Sequence, residues 1–221
     1  MRRLDVLVTA VIVGACAFAV SKMAGSDPLE PYSGTPAVKP LEIGQAVEDV
    51  VLTDFTGEKR HLVGWLGTKA TVLYAWSVAC PCVDVCEERV RSLLVEYREK
   101  YGKPGVVWIG VAGDPADTAE TVLDKMGRLG AAYKMLLDPS HKLCRRVGLR
   151  EATHVAVLDA DGYLRYRGTI DDDLKDPKRS FLAEALAAVT EGRPPAVSEH
   201  EVEGYGCAFG APIEDCPAGS P

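Results

Sequence analysis

The sequence predicts an α/β domain in which a central mixed sheet lies between two layers of helices. Two observations predict this fold class. Apolar runs of strand length alternate along the chain with segments whose apolar residues recur at helical spacing. Turn signals at Thr56-Gly57 and at 160–162, Ala-Asp-Gly, predict an antiparallel hairpin near each end of the domain. The predicted order is therefore hairpin, β, α, β, α, β, α, β, β, α.

The predicted strands are short runs rich in β-branched and aromatic residues. The run 71–76, Thr-Val-Leu-Tyr-Ala-Trp, and the run 106–112 are almost wholly apolar, as is typical of central strands that are buried on both faces. The other strands are predicted at 50–54, 58–62, 133–137, 154–159 and 163–168.

Four amphipathic helices are predicted between these strands. The first opens at Cys80 and Pro81, and Gly102 is expected to end it. The second is expected to start at Asp114 and to run to Gly127. The remaining helices are predicted at 141–147 and 180–190.

The composition suits a globular domain, predicted to span 41–193 of the 221 residues. The formal net charge of −7 and the lack of a long basic run argue against nucleic acid as a partner. Seven cysteines are many for a cytosolic protein, and they favour an oxidising compartment.

Residues 1–20 predict export. Two arginines precede an apolar run, and Ala17-Phe-Ala19 offers a cleavage site, so a signal peptide or an uncleaved membrane anchor is expected. The stretch ending at Cys16 is also similar to a lipoprotein box. All three readings place the domain in the periplasm or another extracytoplasmic compartment. Prolines mark 21–40 as an extended linker.

The segment 194–221 is polar and rich in Gly and Pro, yet it contains Cys207 and Cys216. In an exported protein these cysteines are expected to form a structural disulfide, either with each other or with the domain.

The strand that ends at Trp76, four residues before a cysteine that opens a helix, resembles the thioredoxin superfamily. The resemblance covers 41–193. The stretch 41–62, LEIGQAVEDVVLTDFTGEKRHL, looks like the first hairpin of the redoxin branch, which includes the alkyl hydroperoxide reductase/thiol-specific antioxidant proteins. The stretch 155–168, VAVLDADGYLRYRG, looks like that branch's final hairpin. The resemblance implies a thioredoxin-like three-layer α/β/α fold with an N-terminal hairpin. It also implies redox-active cysteines and antioxidant activity.

The same resemblance places the first active-site cysteine at Cys80 and puts Thr153 in the position of the superfamily's cis-proline. Val83 stands where a C-x-x-C dithiol needs its second cysteine. Compared with the peroxiredoxin motif, Leu73 replaces the proline and Ser77 replaces the threonine, so a hydroxyl is expected near the thiolate.

Cys80 is the predicted nucleophile, because the electropositive end of a helix lowers a thiol pKa. Cys82 is the first candidate for the resolving cysteine, although a C-x-C disulfide would be strained. Cys86 is the second candidate, and a core position is the alternative for it. Cys144 is expected in the core, with resolution as its alternative role.

The spacing Cys82-Val-Asp-Val-Cys86 also resembles the C-x-x-x-C of Sco-type copper proteins. That resemblance implies a Cu site formed by Cys82, Cys86 and His154, because thiolates suit Cu(I). The slot of the family's histidine holds Glu151 here.

Three functions are therefore open. The first is an exported thiol-dependent oxidoreductase that needs no cofactor, acts on a protein disulfide or a peroxide, and is recycled by an external thiol. The second is a Sco-like copper-binding module or chaperone. The third is a disulfide-stabilised interaction domain without turnover.

Overall fold

The structure is a computed structural model that describes residues 39–210. The expected signal or anchor at 1–20, most of the linker, and Cys216 lie outside the described residues. Within 39–210, no helix is both long enough and apolar enough to cross a membrane.

A mixed sheet forms the centre of the described domain. Its strands are β1 (Val51–Asp54), β2 (Lys59–His61), β3 (Ala70–Trp76), β4 (Val106–Ala112), β5 (Lys134–Leu137), β6 (Val155–Asp159), β7 (Leu164–Gly168) and β8 (Glu199–His200). They are ordered β2-β1-β5-β4-β3-β6-β7-β8. Strands β3, β4 and β5 run parallel, while β6 is antiparallel to β3 and pairs with β7 in a hairpin.

Four α-helices cover the sheet. They are α1 (Pro81–Tyr101), α2 (Ala119–Leu129), α3 (Lys142–Val147) and α4 (Phe181–Thr190); a short 3-10 helix spans Leu62–Trp65. Apolar residues of α1, α2 and α4 share one core with Val72, Tyr74 and Trp76 of β3. The core on the opposite face joins α3 to Leu73 and Ala75 of the same strand. Successive side chains of β3 thus enter different layers, as the pleat requires.

This arrangement confirms the predicted thioredoxin-like three-layer fold and the order of its elements. Both bounds of α2 differ from the prediction. The helix begins at Ala119, not at Asp114. The Thr118 hydroxyl accepts from the Thr121 N–H (3.2 Å) and completes a capping box. Asp114 instead forms a separate turn by accepting from the Ala116 N–H at 2.9 Å. The helix also continues past Gly127 to Leu129.

The described part of the C-terminal tail is packed on the domain. Strand β8 pairs with β7 through Arg167 and Glu199, and Tyr205 is fully buried. An isolated bridge joins Glu151 to Ala208 in antiparallel orientation. The tail therefore lies over the edge of the sheet where β6 begins.

Candidate functional site

The candidate site lies at the junction between β3 and α1. Cys80 is the N-cap residue of α1, with an extended backbone (φ −77°, ψ 116°), and Pro81 occupies the first turn. Proline is favoured there because the N–H that it lacks would have no helical partner. Cys80 thus lies at the electropositive end of a 21-residue helix, as predicted. Its side chain is nonetheless buried, and so is that of Cys82.

Side chains of α2 and of the loop before α2 hold the turn that precedes Cys80. Lys125 is buried, and its Nζ donates to the carbonyl oxygens of Val78 (3.0 Å) and Cys80 (2.9 Å). The Asp117 carboxylate accepts from the Val78 N–H at 3.1 Å. Lys125 was not predicted as a site residue, although a lysine one residue before Met126, on the apolar face of a predicted helix, was a signal.

Ser77 has a different role from the one expected. Its hydroxyl donates to Asp114 Oδ2 at 3.3 Å and accepts from the Ala79 N–H at 3.2 Å. The hydroxyl therefore stabilises the turn, and this structure shows no hydrogen bond from Ser77 to the Cys80 sulfur.

Thr153 is buried in the loop before β6 and adopts a left-handed backbone conformation (φ 75°). This conformation is costly for a β-branched residue, and such residues cluster at functional sites. The Thr153 N–H donates to the Ala75 carbonyl of β3 at 2.8 Å. Its hydroxyl donates to the Tyr205 carbonyl at 3.4 Å, so Thr153 joins the site strand to the tail.

The tail passes directly over the site. The Ala152 N–H donates to the Cys207 carbonyl at 2.9 Å. At Gly206 the two backbones approach so closely that a Cβ atom would lie 2.0 Å from the Ala152 carbonyl oxygen. Beyond Cys207, the Phe209 ring packs over Gly113.

This path brings three sulfur atoms together. Cys207 Sγ lies 2.7 Å from Cys80 Sγ and 3.9 Å from Cys82 Sγ. Cys207 is disulfide-bonded. The expected disulfide at Cys207 is thus present, and it contacts the predicted nucleophile.

The expectation of a lowered Cys80 pKa was wrong for this arrangement. A hydrogen bond with the Cys82 side chain and burial raise the pKa of Cys80 well above its usual range. The backbone N–H groups of Cys82 and Val83 act in the opposite direction, as expected at a helix start, but their effect is smaller. With the tail in place, Cys80 is held as a thiol.

Cys86 lies in the core beneath the site. Its sulfur accepts from an Arg89 guanidinium N–H at 3.3 Å and contacts the Tyr205 hydroxyl at 3.9 Å. Burial raises the pKa of Cys86 to about 11 despite the neighbouring guanidinium. The structure therefore places this second candidate for the resolving cysteine in a packed polar network.

Arg89 is the centre of that network, which links α1 to the tail. Its Nε lies 3.0 Å from Asp171 Oδ2, and its terminal nitrogens donate to the Leu174 carbonyl. The Tyr205 hydroxyl donates to the same Asp171 oxygen at 3.1 Å. Asp171 and Tyr205 are both buried, so this anchor fixes the tail two residues before Cys207. This anchor was not predicted from the sequence.

The structure does not assemble the expected copper ligands. Within residues 39–210 it brings together one group of three metal-ligating side chains, formed by Cys80, Cys82 and Cys207. His154 is buried, and burial lowers its pKa to about 4. Cys144 lies in the core on the opposite face of the sheet, as expected for a packing residue.

Glu87 gives the site helix a titratable group in the core. Burial raises its pKa to about 7, even though the Tyr133 hydroxyl donates to it at 2.9 Å. The neutral acid is the favoured folded form, so its stabilising contribution is complete below about pH 4.5 and is lost as pH rises through about 7.

We therefore expect Glu87→Gln to gain stability relative to the natural chain between pH 5 and pH 8, by about 2 kcal/mol. Urea unfolding at the two pH values measures this difference. Glu88→Gln, on the exposed side of α1, is the matched control. A stability difference between Glu87→Gln and the natural chain that does not change with pH would contradict the prediction.

Solved structures share this fold. An uncharacterized conserved protein from Geobacillus kaustophilus is 23% identical with a TM-score of 0.67, and the match covers 81% of this chain and 98% of that one. A "putative protein disulfide isomerase" from Bacteroides thetaiotaomicron is 19% identical with a TM-score of 0.52, covering 68% and 89%. The C-terminal domain of a "putative thiol-disulfide oxidoreductase" from the same organism is 16% identical with a TM-score of 0.52, covering 68% and 97%.

At these identities the likeness shows a common thioredoxin-like fold. No curated protein matches the chain. The sequence model of the AhpC/TSA family matches residues 43–167, which is more than half of the chain.

Proposed function

This chain belongs to the AhpC/TSA family, whose redox chemistry is the premise from which we propose that it is a thiol–disulfide oxidoreductase with Cys80 as its nucleophile. The observation that carries the proposal is the position of Cys80 at the N-cap of α1, in a hydrogen bond with the Cys82 side chain. A thiolate at a helix start attacks a disulfide, and a second thiol nearby resolves the mixed disulfide.

The surroundings of Cys80 favour a disulfide over a peroxide as the substrate. The Ser77 hydroxyl, the expected donor near the thiolate, donates to Asp114. The Cys80 sulfur instead lies close to the sulfurs of Cys82 and Cys207. Neighbouring sulfur atoms suit successive steps of thiol–disulfide exchange. We therefore propose a protein or peptide disulfide as the substrate.

In the catalytic cycle, the Cys80 thiolate attacks a substrate sulfur and forms a mixed disulfide, and the other substrate sulfur leaves as a thiolate. Cys82 then attacks the Cys80 sulfur, which releases the second substrate thiol and leaves a Cys80–Cys82 disulfide. Two equivalents of an external thiol reduce this disulfide, restore both thiols and are themselves oxidised to a disulfide. The two protons and two electrons delivered to the substrate come from the cysteine pair.

Reduction of a dye-labelled glutathione disulfide in the presence of reduced glutathione tests the proposal. We expect Cys80→Ser to lower the rate by about 100-fold or more, because no other thiol occupies the N-cap position of α1. Cys144→Ala, a thiol on the opposite face of the sheet, is the control and should retain turnover. Unchanged turnover in Cys80→Ser, or hydrogen peroxide consumed faster than the disulfide, would overturn the proposal.

The proposal includes an extracytoplasmic location. The disulfide at Cys207 supports it, because such bonds persist in oxidising compartments. The apolar segment of residues 1–20 supports it as well. A fusion of this N-terminal segment to a reporter that is active only outside the cytoplasm should be active; an inactive fusion counts against export.

A copper-binding function is the second candidate, and the observation that favours it is the group of three sulfurs within 4.8 Å of one another. The ligand set would be Cys80, Cys82 and Cys207, once the Cys207 disulfide has been reduced, because thiolates are the ligands that Cu(I) prefers. Titration of the fully reduced chain with Cu(I) should then give stoichiometric binding that Cys207→Ser weakens. Binding that is unaffected by this change excludes the site.

A further inference from the structure

A groove of about 500 Å³ lies at the end of the sheet that is opposite to Cys80. Cys80 follows the carboxyl end of β3, whereas the groove is lined by the first residues of β4 and β5, which run parallel to β3. The volume is typical of small-molecule sites, which span about 300–1,000 Å³. We call this groove, whose lining includes Phe55, Trp65, Arg98 and Lys134, the distal groove.

Aromatic rings form much of the apolar lining of the distal groove. Trp108 and Tyr133 are buried, whereas Phe55 and Trp65 are partly exposed. Phe55 packs on the core that α1 shares with the sheet, and Trp65 packs on the core of the opposite face. Rings that are fixed by the core and still reach the solvent can contact a flat apolar ligand without any opening of the fold.

Positive charge surrounds these rings. Among the described side chains that line the groove, one is a carboxylate, that of Asp54, and four are cationic: Arg60, Arg98, Lys103 and Lys134. Asp54 accepts from Arg60 Nε at 2.6 Å and from the N–H groups of Thr56 and Glu58. The charges of Asp54 and Arg60 therefore compensate each other.

The other three cations, Arg98, Lys103 and Lys134, form no ion pair with any residue of 39–210. Arg98 donates through one terminal nitrogen to the Ala132 carbonyl at 3.3 Å, and its other N–H groups remain for a ligand. Lys134 Nζ lies 4.6 Å from the centroid of the Trp65 ring, over which Arg60 also lies. Burial and the Arg60 charge lower the pKa of Lys134, so an anion would relieve an unfavourable surplus of positive charge. This surplus occurs on a chain whose formal net charge is −7.

We propose that the distal groove is a binding site for a small organic anion with a flat aromatic body, and specifically for an aromatic carboxylate. The aromatic body packs against Phe55 and Trp65. The carboxylate accepts from Arg98 and Lys134, and a guanidinium suits this role because its planar fork matches a carboxylate. The site is independent of the thiol chemistry at Cys80, which lies at the other end of the sheet.

Titration of the isotopically labelled full chain with 2-naphthoate, followed by nuclear magnetic resonance, tests the proposal. The three tryptophans of the chain, Trp65, Trp76 and Trp108, report on both ends of the sheet through their indole N–H signals. We expect the Trp65 signal to shift with a dissociation constant of about 1 mM or lower, and the signal of Trp76, which ends β3, to stay in place. The uncharged 2-naphthamide has the same rings and should bind at least about 10-fold more weakly.

Substitutions of exposed side chains test which cations hold the anion. Lys134→Gln and Arg98→Gln should each weaken 2-naphthoate binding by about 5-fold, as expected for an ion pair near the surface. Lys100→Gln is the matched control, because Lys100 is close to Arg98 on α1 but does not line the groove, and it should leave the affinity unchanged.

Four results would overturn the proposal. The first two are a failure of 2-naphthoate to bind at about 10 mM, ten times the expected dissociation constant, and equal affinities for 2-naphthoate and 2-naphthamide. The third is a shift of the Trp76 signal in place of the Trp65 signal. The fourth is an affinity for 2-naphthoate that is unchanged in both Lys134→Gln and Arg98→Gln.

Discussion

Replacing Gly206 with alanine is expected to raise the alkylation rate of Cys80 by about 100-fold. The added Cβ would lie 2.0 Å from the Ala152 carbonyl oxygen and 2.8 Å from Thr153 Oγ1, and a backbone oxygen cannot rotate away. The tail must therefore separate from the loop that carries Ala152. A loss of about 3 kcal/mol in tail docking corresponds to a roughly 100-fold larger open fraction, and Cys80 reacts from that open fraction.

The pH dependence should change in the same variant. In the closed arrangement, the Cys82 side chain and burial raise the pKa of Cys80. Opening of the tail exposes Cys80 and lessens the burial that raises its pKa, while the Cys82 side chain and the helix N–H groups stay in place. The thiolate should therefore persist to lower pH.

Alkylation of the full chain by iodoacetamide between pH 5 and pH 10, with peptide mapping of Cys80, measures both effects. Gly64→Ala is the matched control, because a Cβ at Gly64 meets no atom within 4 Å. If Gly206→Ala were alkylated at the rate of the natural chain and with the same pH profile, the tail would not be what protects Cys80.

Arg89→Met is expected to lower the free energy of unfolding by about 3 kcal/mol at pH 8. Removal of one partner from a buried ion pair leaves the other charge uncompensated, at a cost of about 3–5 kcal/mol. The low end of this range of costs is appropriate because the Arg89 side chain is 24% exposed, whereas that of Asp171 is 3% exposed.

The loss of unfolding free energy caused by Arg89→Met should be smaller at pH 5 than at pH 8. Burial already raises the pKa of Asp171, and removal of Arg89 raises it further. An acid whose folded pKa is raised destabilises the fold only as pH rises through that value, so at low pH the neutral acid tolerates burial.

Urea unfolding of Arg89→Met, Asp171→Asn and the double variant at pH 5 and pH 8 completes a double-mutant cycle. The Leu174 carbonyl loses its guanidinium donor in both proteins that lack Arg89, so the cycle isolates the effect of the Asp171 charge. The double variant should recover most of the stability that Arg89→Met loses at pH 8. If the losses of the two single variants simply add, the ion pair does not anchor the tail.

The fold was largely predictable because its signals are local. The run 71–76 is apolar on both faces, and the helix that follows it ends at Gly102, as the sequence indicates. The start of α2 was missed because both Asp114 and Thr118 can accept backbone N–H groups, and only the path of the chain decides which of them caps the helix.

Part of the site was predictable because it, too, depends on local sequence signals. The position of Cys80 follows from its strand and its helix. Its contact with Cys207, however, joins residues 127 positions apart, and no spacing rule reports such a contact. The direction of the Cys80 pKa shift was wrong because the Cys82 side chain and burial raise the pKa by more than the helix N–H groups lower it, and the position of Cys80 at a helix start reports only the helix N–H groups.

The antiparallel bridge between Glu151 and Ala208 has a consequence for substrates. The tail occupies this backbone as an extended peptide would, so a substrate that docks there by strand pairing competes with a covalently tethered rival. A short flexible tether gives an effective concentration in the millimolar range. A peptide that is present well below that concentration must then bind more tightly than the tail or wait until the tail dissociates. The selectivity of the proposed oxidoreductase would thus depend on the affinity of the tail for its own domain.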